Sequence, residues 1–258
     1  MPISPDDLEE LRVAKVILEN PGITAKLTNL LGTPIEKGFE RLPSNWQEKI
    51  GGATSDALLV ALKGAMLTMG SMTKEANPRW HKLAVTLSGG IGGAFGLPAL
   101  IVELPISTTI MLRSIADIGR SHGEVLSTAQ SQIACLEVFA LGGQSKRDDS
   151  SESCYFAVRA ALARAVTEAS EYLAGKTIIE ESAPALVRLI VTIAARFQVQ
   201  VSEKAAAMAV PIIGAIGGGG INLLFIDHFQ EMSRGHFVVR KLERKYDPEL
   251  VRTTYESL

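Results

Sequence analysis

The sequence predicts an all-α protein, a compact bundle of several helices. From Tyr155 to Leu173 apolar residues recur at every third or fourth position, which is the pattern of an amphipathic helix buried on one face. Polar, proline-bearing or glycine-bearing breaks at Asn77-Pro78, His122-Gly123 and 142–149 separate such stretches. Runs of alternating apolar and polar residues between turn signals, which strands require, are not found. These three observations assign the chain to the all-α class.

The helices are expected to follow one another with short breaks between them. The first begins at Ser4 and ends near Asn20, because a serine cap, an early proline and acids in the first turn favour a helix start. Apolar residues at helical spacing predict a long helix at about 47–69. Short segments at about 25–31 and 34–39 precede that helix. The remaining helices are expected at about 98–121, 127–141, 155–173, 184–210, 221–245 and after Asp247.

The composition predicts one domain over residues 1–258 that does not bind nucleic acid. Hydrophobic residues make up 47% of the chain and the mean hydropathy is +0.19, which is high for a freely soluble protein and low for a polytopic membrane protein. The 26 basic and 28 acidic side chains give a net charge of −2, so the chain as a whole does not attract nucleic acid. An electrostatic partner must therefore be recognised by a local cluster.

The cysteines and the N-terminal segment favour a cytoplasmic protein. Cys135 and Cys154 show neither CxxC nor Cys/His spacing, so they indicate no zinc site and no disulfide framework, and no cofactor is expected. Both are expected to be buried thiols in a reducing compartment. The first residues include acids and lack the basic region and apolar run of a secretory signal. We therefore expect the protein in the cytoplasm, including the cytoplasmic side of the inner membrane.

Two glycine-rich stretches without formal charge, 83–102 and 205–226, have the same layout. An offset of 124 residues places Gly214 on Gly90, Asp227 on Glu103 and Arg244 on Arg120. This register predicts an internal duplication of a glycine-rich helical hairpin, the first copy at about 83–121 and the second at about 205–245. We call these two copies the glycine elements.

The glycine elements fit three environments. Their charge-free runs of 20 and 22 residues are long enough to cross a bilayer. Each run also holds five glycines, and pairs at GxxxG spacing allow close helix packing in lipid and in soluble bundles alike. The sequence therefore leaves open a packed soluble core, insertion into a membrane, and a cavity for a lipid or another apolar ligand.

Glu103 and Asp227 close the two apolar runs and are the candidate functional acids. An acid at such a position is expensive to bury unless it is paired or hydrogen-bonded. One interpretation is a structural ion pair, and the other is a pair of carboxylates that converge on a cation, a proton or a polar ligand. The arginines offered as ion-pair partners are Arg113, Arg120, Arg234 and Arg244.

A polar cluster follows the second glycine element. A helix places His228 and Glu231 one turn apart and Asp227 in line with Glu231, a spacing that can hold a metal, although HExxH is absent. Arg234 and His236 complete the cluster. A metal-assisted hydrolase is therefore an alternative, but no phosphate-cradling loop or G-x-S-x-G motif accompanies it, and the sequence does not support an enzyme.

A basic helix end is the candidate surface for anionic partners. Five cations face the single acid Glu243 between Arg234 and Lys245. Such a helix end can bind lipid headgroups or an acidic protein surface, and its cations also suit the negative end of the helix dipole without any ligand. The residues assigned to this surface are Arg240, Lys241, Arg244 and Lys245.

Two segments resemble the signature of a bacterial family. They read LGGQSKRDDSSESCYFAVRAALARAVTEASEYLAG from Leu141 and FIDHFQEMSRGHFVVRKLERKYD from Phe225, and they are similar to segments of the EcsC family. The positions that match are Tyr155, Phe156, Arg159, Asp227, His228, Phe229, Arg234, Gly235, His236 and Arg240. The family is named for a protein encoded beside an ABC transporter. The resemblance therefore implies a non-catalytic accessory role near the inner membrane, with membrane lipids or transporter subunits as partners, and it assigns no catalytic residues.

Overall fold

The computed structural model describes residues 2–19, 23, 26–28, 35–69, 97–142, 154–174, 183–209 and 217–258. Within these residues the regular structure is helical and contains no strand, which confirms the all-α class. The helices are α1 (Pro5–Glu19), α2 (Glu36–Phe39), α3 (Trp46–Met69), α4 (Leu97–Ser121), α5 (Ala129–Glu137) with a 3-10 turn (Val138–Ala140), α6 (Cys154–Leu173), α7 (Pro184–Met208), α8 (Gly217–Lys245) and α9 (Pro248–Ser257).

Local capping explains why several helix ends agree with the sequence. The Ser4 hydroxyl accepts from the backbone N–H of Asp7, and Asp247 caps α9 by accepting from two backbone N–H groups of its first turn. Helix α8 departs from expectation, because it begins at Gly217 and not at Ile221. Its first turn thus consists of glycines, which have low intrinsic helix propensity, so propensity alone did not locate this helix start.

Helices α4 and α8 run parallel, side by side, through the centre of the molecule. Glu103 bonds Asn222 near their N-terminal ends, Ser114 bonds Gln230 in the middle, and Arg244 reaches the His122 carbonyl where α4 ends. The expected hairpins of the glycine elements lie largely outside the described residues, at 83–96 and 210–216. The duplication stays a prediction, while the second half of each copy is a long helix.

An aromatic cluster joins the 3-10 turn, α7 and α8 at the core. The ring centroid of Phe139 lies 4.9 Å from that of Phe197 and 5.1 Å from that of Phe229, and the last two are 5.5 Å apart. All three side chains have no exposed surface. Buried rings at these separations are a large source of packing energy.

Gly142 is expected to tolerate alanine much less well than Gly123. Both residues have a positive φ, +86° at Gly123 and +76° at Gly142, which costs an L side chain about 1–2 kcal/mol. A Cβ at Gly142 would also lie 2.6 Å from His228 Cε1, whereas one at Gly123 meets Arg244 Nη2 at an ordinary 3.5 Å. Gly142→Ala should therefore cost about 2–4 kcal/mol in urea unfolding, and Gly123→Ala about 1–2 kcal/mol. Equal costs would contradict the close contact with His228.

Two described helices are long and apolar enough to cross a membrane by length and composition. They are Pro98–Ser121 and Pro184–Met208, and 56% and 50% of their apolar windows are buried inside the protein. Core helices of soluble proteins pass the same test, so this finding alone does not distinguish the environments.

Candidate functional site

Side chains from the two signature segments meet in one buried cluster. The hydroxyl of Tyr155 on α6 lies 3.0 Å from Nδ1 of His236 on α8, although 81 positions separate these residues in the sequence. Phe156 packs edge-on against Tyr155 with a centroid separation of 5.0 Å. Arg159 stands over both rings, with its guanidinium carbon 5.5 and 5.6 Å from their centroids. The tertiary structure thus joins segments that are distant in the chain.

Helical spacing positions these groups. Tyr155 and Arg159 are four residues apart on α6, and His236 and Arg240 are four residues apart on α8, so each pair lies on one helix face. The two rings are buried, whereas the two guanidinium groups lie nearer to solvent. Each helix therefore contributes one buried ring and one cation to the same side of the bundle.

The Tyr155 hydroxyl and the His236 imidazole share the central hydrogen bond of the cluster. Arg159 Nη1 lies 3.5 Å from the Tyr155 hydroxyl and donates to it. The direction of the bond between the hydroxyl and His236 Nδ1 follows from the imidazole tautomer. Burial, assisted by the positive charges of Arg159 and Arg240, holds the pKa of His236 well below 6.5. The Nε2 atom of His236 lies 4.0 Å from Glu137 Oε2, beyond hydrogen-bond distance. We call Arg159, Tyr155, His236 and Glu137 the buried relay.

Glu137 is the inner acid of the buried relay, and sequence reasoning missed it. Its residue surface is 6% exposed. Burial raises the pKa of its carboxyl more than the nearby charges of Arg159 and Arg240 lower it. One signal was present in the sequence, since Glu137 is the only charged residue between Ile133 and Leu141. A lone acid in an apolar helix is expensive and therefore worth attention.

Arg159 also forms an ion pair with Glu243 on the solvent side of the cluster. Its Nη1 and Nη2 atoms donate to the two carboxylate oxygens of Glu243 at 2.6 and 3.1 Å. This two-point geometry is the strongest form of an arginine–carboxylate pair. Glu243, which the sequence analysis treated as the single acid of the basic helix end, thus neutralises an arginine of α6.

Glu124 anchors two cations of the basic helix end. Arg240 donates to it through Nε at 2.9 Å and Nη2 at 3.1 Å, Arg244 Nη1 donates to it as well, and the Ser131 hydroxyl donates at 2.6 Å. Burial acts to raise the pKa of Glu124, but the hydrogen bonds from Arg240 and Ser131 and the two arginine charges outweigh burial and lower it. Glu124 is a further residue that the sequence analysis did not single out.

The two lysines of the basic helix end pair with α1. Lys241 Nζ lies 2.8 Å from Glu10 Oε2, and Lys245 Nζ lies 2.5 Å from Asp7 Oδ2. Tyr246 also donates to Asp7, and the hydrogen bonds from Lys245 and Tyr246 lower the pKa of that carboxyl. All four cations assigned to anionic partners are thus in internal ion pairs. A lipid headgroup would compete with these acids for them, and headgroup binding there stays a prediction.

A pocket with a volume of about 390 Å³ opens beside the buried relay. Helices α5, α6, α8 and α9 supply its walls. Charged lining groups are Glu137, Arg159, Arg240, Glu243, Glu249 and Arg252, and the lining also includes Phe156, Ala163, Val166 and Pro248. The pocket therefore combines guanidinium groups with an apolar wall.

Glu103 is buried in an ion pair, but with a different partner from the arginines named above. Lys204 Nζ on α7 lies 2.9 Å from Glu103 Oε2, and Asn222 Nδ2 on α8 donates to Glu103 Oε1 at 2.9 Å. Lys204 and Asn222 are 1% exposed and Glu103 is 6% exposed. The sequence analysis missed Lys204, because its partner is 101 residues away.

The residues of the polar cluster after the second glycine element differ in burial and in the groups they contact. His228 is fully buried against Gly142 and Phe229, while Glu231 reaches outward to Lys26 at 2.6 Å. Asp227 is half-buried. Among the described residues no group of three or more His, Cys, Asp or Glu side chains could hold a metal ion. The proposed Asp227, His228 and Glu231 site therefore gains no support from the geometry.

Arg234 and Gly235 lie on a different face of α8, toward α1. They line a separate groove of about 510 Å³ against α1. A Cβ at Gly235 would lie 2.7 Å from Leu18 Cγ, so this glycine lets α1 and α8 approach closely. These two matching positions therefore serve helix packing and an exposed surface.

Comparison with family models identifies the chain. The model described as the EcsC protein family matches residues 6–242, which include the buried relay and the Glu103 ion pair. Comparisons with curated proteins and with solved structures gave no match. The match covers nearly the whole chain, and the resemblance to the EcsC family is confirmed. This all-α protein belongs to the EcsC protein family.

Proposed function

We propose that this protein acts without catalysis at the cytoplasmic surface of the inner membrane, as an accessory to membrane proteins such as an ABC transporter. The observation that carries the proposal is an apolar outer face on the first turns of α4. Val102 is 74% exposed and Ile106 is 54% exposed, although both side chains are large and apolar. Pro98 is also exposed and lies one turn before Val102.

The charge pattern of α4 supports contact with lipid. Between Pro98 and Ile110 the sole charged residue is Glu103, and its carboxylate points inward to Lys204 and Asn222. The outer surface of these turns thus carries no charge. Such a face favours the boundary between headgroups and acyl chains, where apolar side chains leave water. The charge-free stretch 83–102 leads directly into this helix and extends the apolar character along the chain.

Vesicle binding tests the proposal. The wild-type protein is expected to co-sediment with vesicles of phosphatidylethanolamine and phosphatidylglycerol, and to remain bound in 0.5 M salt, because apolar insertion is little screened whereas exposed ion pairing is. Val102→Asp combined with Ile106→Asp should weaken binding about tenfold or more, since a carboxylate is costly below the headgroups. Val125→Asp is the matched control, because Val125 is 60% exposed but lies beyond the far end of α4.

Two results would refute the proposed function. One is a wild-type protein that stays in the supernatant with these vesicles at low salt. The other is equal binding by the double aspartate variant and the wild type. Binding that is lost in 0.5 M salt would assign the contact to cations, and the apolar face of α4 would then not be the docking surface.

A further inference from the structure

We propose that the pocket beside the buried relay binds a small molecule through an oxyanion group, a carboxylate or a phosphate monoester, with an apolar body against Phe156 and Val166. This inference is independent of the proposed membrane role. On α8, Asn222 lies beside the apolar face of α4, because it donates to Glu103, and Arg240 lines the pocket. Eighteen residues separate them, which is about 27 Å along the helix.

The two arginines at the inner part of the pocket have more N–H donors than their bonds to Glu124 and Glu243 use. Arg240 binds Glu124 through Nε and Nη2, and Arg159 binds Glu243 through Nη1 and Nη2. The Nη1 atom of Arg240 and the Nε atom of Arg159 take part in none of these bonds. Arginine is well suited to oxyanions because it offers several N–H donors in a planar array.

Glu137 also lines the pocket, and its side chain is nearly fully buried. Burial raises the pKa of its carboxyl, which favours the protonated form. A protonated carboxyl donates one hydrogen bond and repels no anion. The negative charge of Glu243 is offset by the two-point bond from Arg159. At the end of the pocket that Glu137 and Glu243 line, the guanidinium groups of Arg159 and Arg240 therefore favour an anion, whereas the acid Glu249 lines the pocket from α9.

The rest of the lining suits a small organic body. Phe156 packs at right angles to Tyr255, with centroids 5.1 Å apart, and Arg252 stands 5.9 Å from the Phe156 centroid. Ala163 and Val166 on α6 and Pro248 on α9 add apolar surface. A volume of about 390 Å³ is in the range of pockets for small ligands. An oxyanion at one end and a short hydrocarbon or ring at the other match this arrangement.

Two alanines on α6 provide a test that leaves the core intact. Ala163 and Ala161 are both exposed, but Ala163 lines the pocket and Ala161 does not. Glutamate is a good helix former, so both substitutions are expected to fold. Ala163→Glu places a carboxylate in the pocket, whereas Ala161→Glu adds the same charge to the same helix outside it.

Titration with benzoate and with inorganic phosphate at pH 6.0, followed by backbone amide NMR, tests the proposal. At least one probe is expected to bind saturably to the wild type and to Ala161→Glu, with shifts at the pocket residues. Ala163→Glu should bind it about tenfold more weakly or worse, because like charges then face each other. Failure of both probes to bind the wild type saturably, or equal binding by the two variants, would overturn the proposal.

A vesicle arm separates a free ligand from a lipid headgroup. Vesicles that contain phosphatidic acid are added to the same three proteins. If Ala163→Glu lowers vesicle binding and Ala161→Glu does not, the oxyanion belongs to a headgroup and the pocket is supported. The double variant Val102→Asp and Ile106→Asp tests the α4 face instead. Each proposal can therefore be refuted without refuting the other.

Discussion

Replacement of Lys204 by methionine is expected to lower the free energy of unfolding by about 3–5 kcal/mol. Lys204 is 1% exposed, and its Nζ lies 2.9 Å from Glu103 Oε2. Methionine keeps much of the packing volume but leaves the Glu103 carboxylate buried, with Asn222 as its hydrogen-bond donor within the described residues. The penalty arises from an uncompensated buried charge, which costs far more than an exposed ion pair contributes. Urea unfolding followed by circular dichroism at pH 7 measures it.

Two further variants isolate the cause. Lys204→Met combined with Glu103→Gln removes both charges and is expected to recover a large part of the loss, because no ion remains buried. Lys241→Met breaks the exposed pair with Glu10 and should change the stability by about 1 kcal/mol or less. A cost for Lys204→Met no larger than that for Lys241→Met would show that the Glu103 pair is not sequestered from water.

Glu137→Gln and His236→Asn are expected to shift the pH dependence of stability in opposite directions between pH 4.5 and 6.5. The pKa of His236 lies below 6.5 in the folded state, so on acidification the unfolded chain takes a proton that the folded chain refuses, and stability falls. The pKa of Glu137 lies above 4.5 in the folded state, so on acidification the folded chain takes its proton first, and stability rises.

In the wild type the contributions of His236 and Glu137 to the pH dependence of stability oppose each other. Removing one of the two groups leaves the contribution of the other. Glu137→Gln should make stability fall more steeply on acidification, and His236→Asn should make it fall less steeply or rise. Each slope changes by up to about 1.4 kcal/mol per pH unit. Urea unfolding at pH 6.5, 5.5 and 4.7 measures the three slopes. Parallel profiles for all three proteins would contradict the burial of the Glu137 and His236 pair.

Local signals account for what sequence reasoning predicted well. The helix start at Ser4 and the cap at Asp247 depend on residues within one turn, and the stripe of α6 depends on spacing alone. The beginning of α8 at Gly217 was missed, because the low helix propensity of four consecutive glycines argued against a helix there. Local sequence signals therefore predict most helices, and they fail at the start of α8, where a helix forms from residues of low helix propensity.

The candidate site shows the same division more sharply. His236 and Arg240 were singled out from their own segment, and Tyr155 and Arg159 were matched in the other signature segment. Neither segment by itself predicts that the Tyr155 hydroxyl contacts His236, because 81 positions separate the two residues in the sequence. Glu137 is the only charged residue of its apolar stretch, but the burial that makes this acid informative is known only from the structure.

By itself, the sequence determined the all-α class, the positions of most helices and the likeness to the EcsC family, because helical periodicity and capping are short-range properties. Only the tertiary structure decided which charges are paired. In the folded chain Lys204 pairs with Glu103, Arg240 pairs with Glu124, and Arg159 pairs with Glu243. The physical reason is that the energy of a charge depends on its burial and on partners that chain folding brings from distant positions.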